Sequence, residues 1–173
     1  MPKSGDRGPV LIVGIGNELL GDEGLGVEVA RSLLAVQDSL PRGVAVLEMG
    51  TSLLDAVPDM ARYARLIIVD AIRAGQPAGT IYRAELFADL TGQLQAFPSI
   101  SLHDWTLMDT LRAAKMLGLL PRRVTLVGAE PESIEPRIGL SPRLAGAGER
   151  IISVLLEELG ARQVEPGRFQ TAD

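Results

Sequence analysis

Cysteine is absent from these 173 residues, and histidine occurs once, as His103. The first absence excludes disulfides, thiol catalysis, thiolate metal sites and iron–sulfur clusters built by this chain alone. No apolar run approaches the roughly 20 residues of a membrane-spanning helix. No run of lysine and arginine offsets the net charge of −5, so neither nucleic acid nor an anionic membrane is an expected partner. Aromatics are scarce (one Trp, two Tyr, three Phe), which gives no sign of an extensive protein interface, and the expectation is a monomer. Met1–Gly8 carries an acid and a glycine ahead of a very short apolar run and reads poorly as a signal peptide, so the expected location is cytoplasmic.

What is present is ordinary in bulk: 46% hydrophobic and 23% charged residues. A chain of this length buries roughly 70% of its unfolded surface, which suits a single domain over residues 1–173. The ordered core is expected at about 9–160, with flexible tails at 1–8 and 161–173. Between the tails, strand-like and helix-like patterns alternate. Val10–Val13, Val44–Leu47, Leu66–Val69 and Val124–Val127 are short apolar runs of strand type, the third ending on Asp70. Leu25, Val29, Leu33 and Leu34 recur at helical spacing, and a short helix after Gly50-Thr51-Ser52 is limited by Pro58. Thr80–Arg83 also reads as a strand. Only nine residues (71–79) separate it from Asp70, and a parallel crossover needs about a dozen or more, so this strand is expected to be antiparallel and at an edge.

Two further helices carry start and stop signals. Ser101-Leu102-His103-Asp104 fits a capping box, with Gly118 as the stop. Ser141-Pro142 opens the last helix, where Ile152, Leu155, Leu156 and Leu159 form a stripe and Gly160 closes it. The predicted fold is an α/β three-layer sandwich: a mostly parallel, twisted sheet of about five strands with one antiparallel edge strand, and helices on both faces.

The stretch VLIVGIGNELLGDEGLG, Val10–Gly26, holds most of the functional information. A glycine loop after a first strand usually suggests a dinucleotide. Here Gly14 and Gly16 are present, but Leu19 stands where the third glycine belongs. Asp22 and Glu23 then bring like charge to the place a pyrophosphate would need, and Glu48 lies well beyond the ~20-residue distance of a ribose-binding acid. A receiver-like signalling module, phosphorylated on Asp70, would also want an acidic pair after its first strand. It needs a lysine after its last strand, however, and Val127 is followed by Gly128-Ala129-Glu130.

The third reading starts from His103. Its place in the first turn of a helix disfavours the imidazolium form, and a neutral imidazole is what a metal ligand must be. Glu23 and Asp70 follow the first and third strands, which in a doubly wound sheet can flank the ligand-binding switch point. Two carboxylates and an imidazole suit a divalent first-row metal with open positions. Each residue also has a plain alternative: a capped surface histidine for His103, a turn or cap for Asp70, and capping of the first helix for Asp22.

Taken together, these residues resemble the hydrogenase maturation endopeptidases, the nickel-dependent processing proteases of nickel–iron hydrogenase large subunits. The resemblance runs from Leu11 to Leu159. The family's opening motif, G-x-G-N-x-L-x-x-D-D/E-x-x-G, is met by Gly14, Gly16, Asn17, Leu19, Asp22, Glu23 and Gly26. Its strand ending in Asp-Ala is met by Leu66–Ala71, its histidine before a helix by His103, and its V-G-x-x-P-E segment by Val127–Glu132. The resemblance implies an aspartic-type endopeptidase that removes a short C-terminal peptide from the large-subunit precursor once nickel has been inserted. It also implies that Glu23, Asp70 and His103 contact nickel carried by the substrate, which the free enzyme need not hold. Asp70 and Glu23 are the expected catalytic carboxylates, with Asp70 as general base. Ser101 is two residues from His103 but lacks the G-x-S-x-G elbow of a nucleophile, and capping accounts for it. Asn17 is expected to shape the loop, Gly50 and Thr51 to line a peptide groove, and Trp105 to touch substrate or to pack in the core. A non-catalytic protein that senses nickel in the precursor needs the same three ligands.

Overall fold

The computed structural model describes residues 8–86, 103–161, 169 and 171, with only the backbone described for residues 103–106. The expected cap Ser101, and the side chains of His103 and Trp105, lie outside the described residues, as do residues 1–7 and most of 162–173.

The elements in chain order are β1 (Val10–Ile15), α1 (Leu25–Leu34), β2 (Val44–Met49), α2 (Val57–Met60), β3 (Arg65–Ala71), β4 (Ile81–Leu86), α3 (His103–Met116), β5 (Arg123–Ala129) and α4 (Pro142–Leu159). The five strands form one sheet in the order β2-β1-β3-β5-β4. All pairings are parallel except β4 with β5, and β4 lies at the edge, as its nine-residue link predicts. Val10 stands opposite both Val44 and Arg65, so the parallel strands end together on one side of the sheet.

β1 is buried at all six positions because helices cover both faces of the sheet there. Alternation then divides its side chains between two cores. Val10 and Ile12 pack with Ile67, Val69 and Val127 under α1 and α4, through Leu25, Leu33, Leu144, Ile151 and Leu155. Leu11 and Val13 pack with Leu66, Ile68 and Leu126 under α2 and α3, through Val57, Met60, Leu107 and Leu111. This is the expected three-layer sandwich.

Local signals act largely as the sequence suggests. Ser141 caps α4, its Oγ accepting the N–H of Leu144, and Gly160 closes it at φ +70°. Gly118 ends α3 at φ +71°, with the N–H of Leu119 reaching back to the carbonyl of Ala114. Pro58 departs from expectation. It sits in the first turn of α2, where a missing N–H has no helical partner to lose, so it opens that helix rather than limiting it.

One contact sets up the site. A Cβ on Gly26, inside α1, would lie 2.1 Å from the carbonyl oxygen of Val69 and 2.2 Å from that of Ile15. A Cβ on Gly14 would lie 1.9 Å from the carbonyl oxygen of Gly26. The start of α1 therefore rests directly on the backbones of β1 and β3, and only glycine allows that approach.

Candidate active site

Because α1 is pressed against the sheet, the turn that leads into it is held at the C-terminal ends of β1 and β3. That turn is a single 3₁₀ turn, Asp22–Gly24. It carries Glu23, which is 5% exposed, and β3 presents Asp70, which is 8% exposed. Both line one cleft of about 510 Å³, together with Gly16, Thr51, Leu53, Arg73, Leu107 and Ile134. The cleft lies where chain connections leave β1 and β3 in opposite directions, the place where open α/β sheets bind ligands. Asp70 is oriented by the N–H of Ala71, which donates to its Oδ1 at 2.8 Å.

Asp22 and Glu23 are neighbours with different surroundings. Asp22 is fully buried and faces away from the cleft lining, toward the segment that leads into α4. Its Oδ1 accepts the N–H of Ser141 at 2.6 Å, and its Oδ2 accepts the N–H of Glu132 at 2.7 Å and the Ser141 hydroxyl at 2.9 Å. The Arg137 guanidinium lies 3.5 Å away. The simple alternative of capping the first helix does not hold: the N-cap of α1 is Gly24, with no side-chain cap bond. Asp22 instead ties the loop before α4 to the turn that carries Glu23.

The rest of the loop follows the same logic. Asn17 accepts the N–H of Leu19 on its Oδ1 at 3.1 Å, which shapes the turn. Thr51 lines the cleft, whereas Gly50 contributes its carbonyl, accepting the N–H of Gly16 at 2.8 Å.

For His103, the structure supplies a position. It is the first residue of α3, one turn before Leu107, and Leu107 lines the cleft. Among the described residues, no three His, Cys, Asp or Glu side chains gather as a metal site; Glu23 and Asp70 are two that share the cleft.

Sequence reasoning missed Glu130 and Arg73. Glu130, just past β5, is buried and accepts the N–H groups of Ala74, Gly75 and Gln76 and the hydroxyl of Tyr82 at 2.5 Å. Burial alone would raise its pKa. The hydrogen bonds from Tyr82 and the three amides outweigh that and hold it below the ordinary carboxylate value. Burial and the same contact push the Tyr82 hydroxyl up to about 12. An acid directly after an apolar strand was the only available signal for Glu130; Arg73 had none.

A mostly parallel α/β sheet with an acidic cleft at its switch point defines a small α/β protein with an enclosed pair of carboxylates, a class that serves many chemistries. The comparisons narrow it. Residues 27–158 match the family model described as hydrogenase maturation protease, and the chain belongs to that family. It is 37% identical to the hydrogenase 2 maturation protease of Escherichia coli (strain K12) over 159 residues, covering 91% of this chain and 92% of that one. Hydrogenase expression/formation protein HupD of Rhodobacter capsulatus is 33% identical over 157 residues, 90% of this chain and 73% of its own. Among solved structures, the hydrogenase maturating endopeptidase HybD from E. coli superposes with a TM-score of 0.73 at 35% identity, covering 88% of this chain and 92% of that one. A hydrogenase 2 maturation peptidase from a Thaumarchaeota archaeon gives a TM-score of 0.66 at 32% identity, covering 89% and 99%. The chain is thus a peptidase, and the dinucleotide and receiver readings lapse. Among the described residues, no helix is long and apolar enough to cross a membrane.

Proposed function

We propose that this protein is an aspartic-type endopeptidase that removes a short C-terminal peptide from the nickel-loaded precursor of a nickel–iron hydrogenase large subunit. One observation supports this above the others: Glu23 and Asp70, brought from two different strand ends, share one cleft in a chain of the maturation-protease family. Glu23, Asp70 and His103 would contact nickel that arrives on the substrate, so the enzyme reads whether metal insertion is complete. The position of His103 one turn before the cleft-lining Leu107 is consistent with that role. A cation beside the scissile bond can bring a bound water's pKa far down, toward about 7, which two carboxylates alone do not do.

The hydrolysis balances within the cleft. The water oxygen bonds to the scissile carbonyl carbon while its proton passes to Asp70, and the C=O π pair moves onto the carbonyl oxygen. Collapse then restores C=O, breaks the C–N bond and returns the proton to the leaving nitrogen. The protein would act in the cytoplasm as a monomer.

The test is an intact-mass measurement on a large-subunit precursor from the same source, mixed with the protein with and without nickel loaded. Loss of a C-terminal peptide only from the nickel-loaded sample is the expected result. A stable complex with unchanged mass would favour a nickel-sensing role without cleavage. Neither binding nor cleavage would remove the proposed client.

A further inference from the structure

Among the described residues that line the cleft, Arg73 carries the only positive charge, in the same cleft as the carboxylates of Glu23 and Asp70. Its side chain is exposed, and among the described residues no hydrogen bond or ion pair occupies its guanidinium. Arginine on a loop is commonly a solvated surface residue, but the backbone here is fixed on both sides. Before Arg73, Ile72 is buried and its N–H donates to the Ala129 carbonyl at 2.9 Å. After it, the amides of Ala74, Gly75 and Gln76 converge on the Glu130 carboxylate at 2.8, 3.2 and 3.3 Å. The Tyr82 hydroxyl donates to the same Glu130 Oε2 as Ala74 and Gln76, and the backbone of Glu130 pairs with Thr80 and Gly79. An exposed cation with no partner among the described residues is thus presented from a backbone clamped to the end of β5. The backbone therefore needs no reorganisation when the cation is used, and only the side-chain torsions of Arg73 have to be ordered.

Peptide hydrolysis is accelerated by a hydrogen-bond donor or cation at the carbonyl oxygen, a role distinct from that of a metal that activates water. The tetrahedral intermediate bears negative charge on the former carbonyl oxygen, and two carboxylates in the same cleft raise its energy. A guanidinium offers five donors and stays charged at any working pH. We propose that Arg73 is a catalytic residue that stabilises negative charge on the scissile carbonyl oxygen, and that Glu130 is its positioning residue. The proposal rests on the peptidase reading given above. Because the charge develops only during reaction, Arg73 contributes to the rate of bound substrate rather than to its binding.

The experiment compares wild type, Arg73→Gln, Arg73→Lys and Arg73→Gly on a nickel-loaded precursor. Single-turnover cleavage, precursor affinity and Tm are measured separately. Arg73→Gln should slow cleavage of bound precursor by about 10²–10³-fold, the usual effect of losing one oxyanion donor. Affinity should stay within about twofold and Tm should not move, because the side chain is exposed and has no partner among the described residues. Arg73→Lys should recover part of the rate, and added guanidinium should partly rescue Arg73→Gly, a response that a purely structural role does not give. Wild-type cleavage by Arg73→Gln would overturn the proposal, as would a loss due wholly to weaker precursor binding. If wild type itself fails to cleave the loaded precursor, the peptidase reading falls and this one with it.

Discussion

Asp22 and Glu23 stand side by side, yet their removal should have opposite consequences, and the difference can be worked from the contacts. Asp22→Ala deletes the acceptor of the Ser141 N–H at 2.6 Å, the Glu132 N–H at 2.7 Å and the Ser141 hydroxyl at 2.9 Å. Hydrogen bonds to a charged group contribute about 1.5–3 kcal/mol each. These three share one carboxylate, and the exposed Glu132 can turn to water, so the contributions do not simply add. The buried Ser141 amide has no such recourse, and its hydroxyl also caps α4. The loss should be about 3–5 kcal/mol, which includes the cost of a stranded buried donor. At about 2–4 °C per kcal/mol for a chain of this size, Tm should fall by on the order of 10 °C. Glu23→Gln should abolish cleavage and leave Tm unchanged or slightly raised, since active-site carboxylates are held at some expense of stability. Thermal melting by circular dichroism, with a urea titration to confirm an unchanged m-value, reads the first effect. If Asp22→Ala melts within about 2 °C of wild type, the tether argument fails; if it also loses cleavage while keeping its Tm, Asp22 belongs to the chemistry.

Other outcomes follow from the same contacts. His103→Ala should abolish cleavage of a nickel-loaded precursor while the protein remains folded; cleavage at the normal rate would remove His103 from the site. Gly26→Ala should leave little folded protein, because the added carbon would sit 2.1 Å from a strand carbonyl that cannot yield as a side chain does; a soluble variant with wild-type Tm would refute the close approach. Glu130 and Glu158 should make the fold acid-sensitive. Burial works against their charged forms, but Tyr82 and three amides for Glu130, and Arg65 and Arg83 for Glu158, hold both below the ordinary carboxylate pKa. The unfolded chain then binds more protons, so this stability is fully present above about pH 4.3 and is lost as pH falls through the folded values. Glu158→Gln should flatten the acid limb of Tm against pH, and an unchanged limb would show that Glu158 does not contribute to it.

The sandwich is legible in the sequence because its signals are local. Val10–Val13 and Leu66–Val69 are continuous apolar runs because both sheet faces are covered, and the nine residues before β4 are too few for a crossover. Ser141, Pro142 and Gly160 act within a turn of their own positions. Pro58 is local too, but proline carries two meanings, and which applies depends on where the helix begins. The opening motif and Asp70 are sufficient to place two carboxylates at adjacent strand ends. The family resemblance, not the local pattern, singles out Glu23 over Asp22, because the orientation of Asp22 is set by Glu132 and Ser141, more than a hundred residues away in the chain. Glu130 is hidden for the same reason: its partners at Ala74, Gly75 and Gln76 lie 54–56 residues earlier.

The glycines of the opening motif have a consequence for how closely the cleft floor is built. Cβ atoms built on Gly14, Gly16 and Gly26 would each strike a backbone carbonyl oxygen first, those of Gly26, Glu23 and Val69 respectively. No slack separates the loop, the Glu23 turn and the strands, so α1 has no room to move closer to the sheet. The floor of the cleft is a fixed gauge. On the proposed function the precursor must bring its metal and its scissile bond to that gauge already in register, and a precursor without metal fails by misfit rather than by any refusal of the enzyme to close.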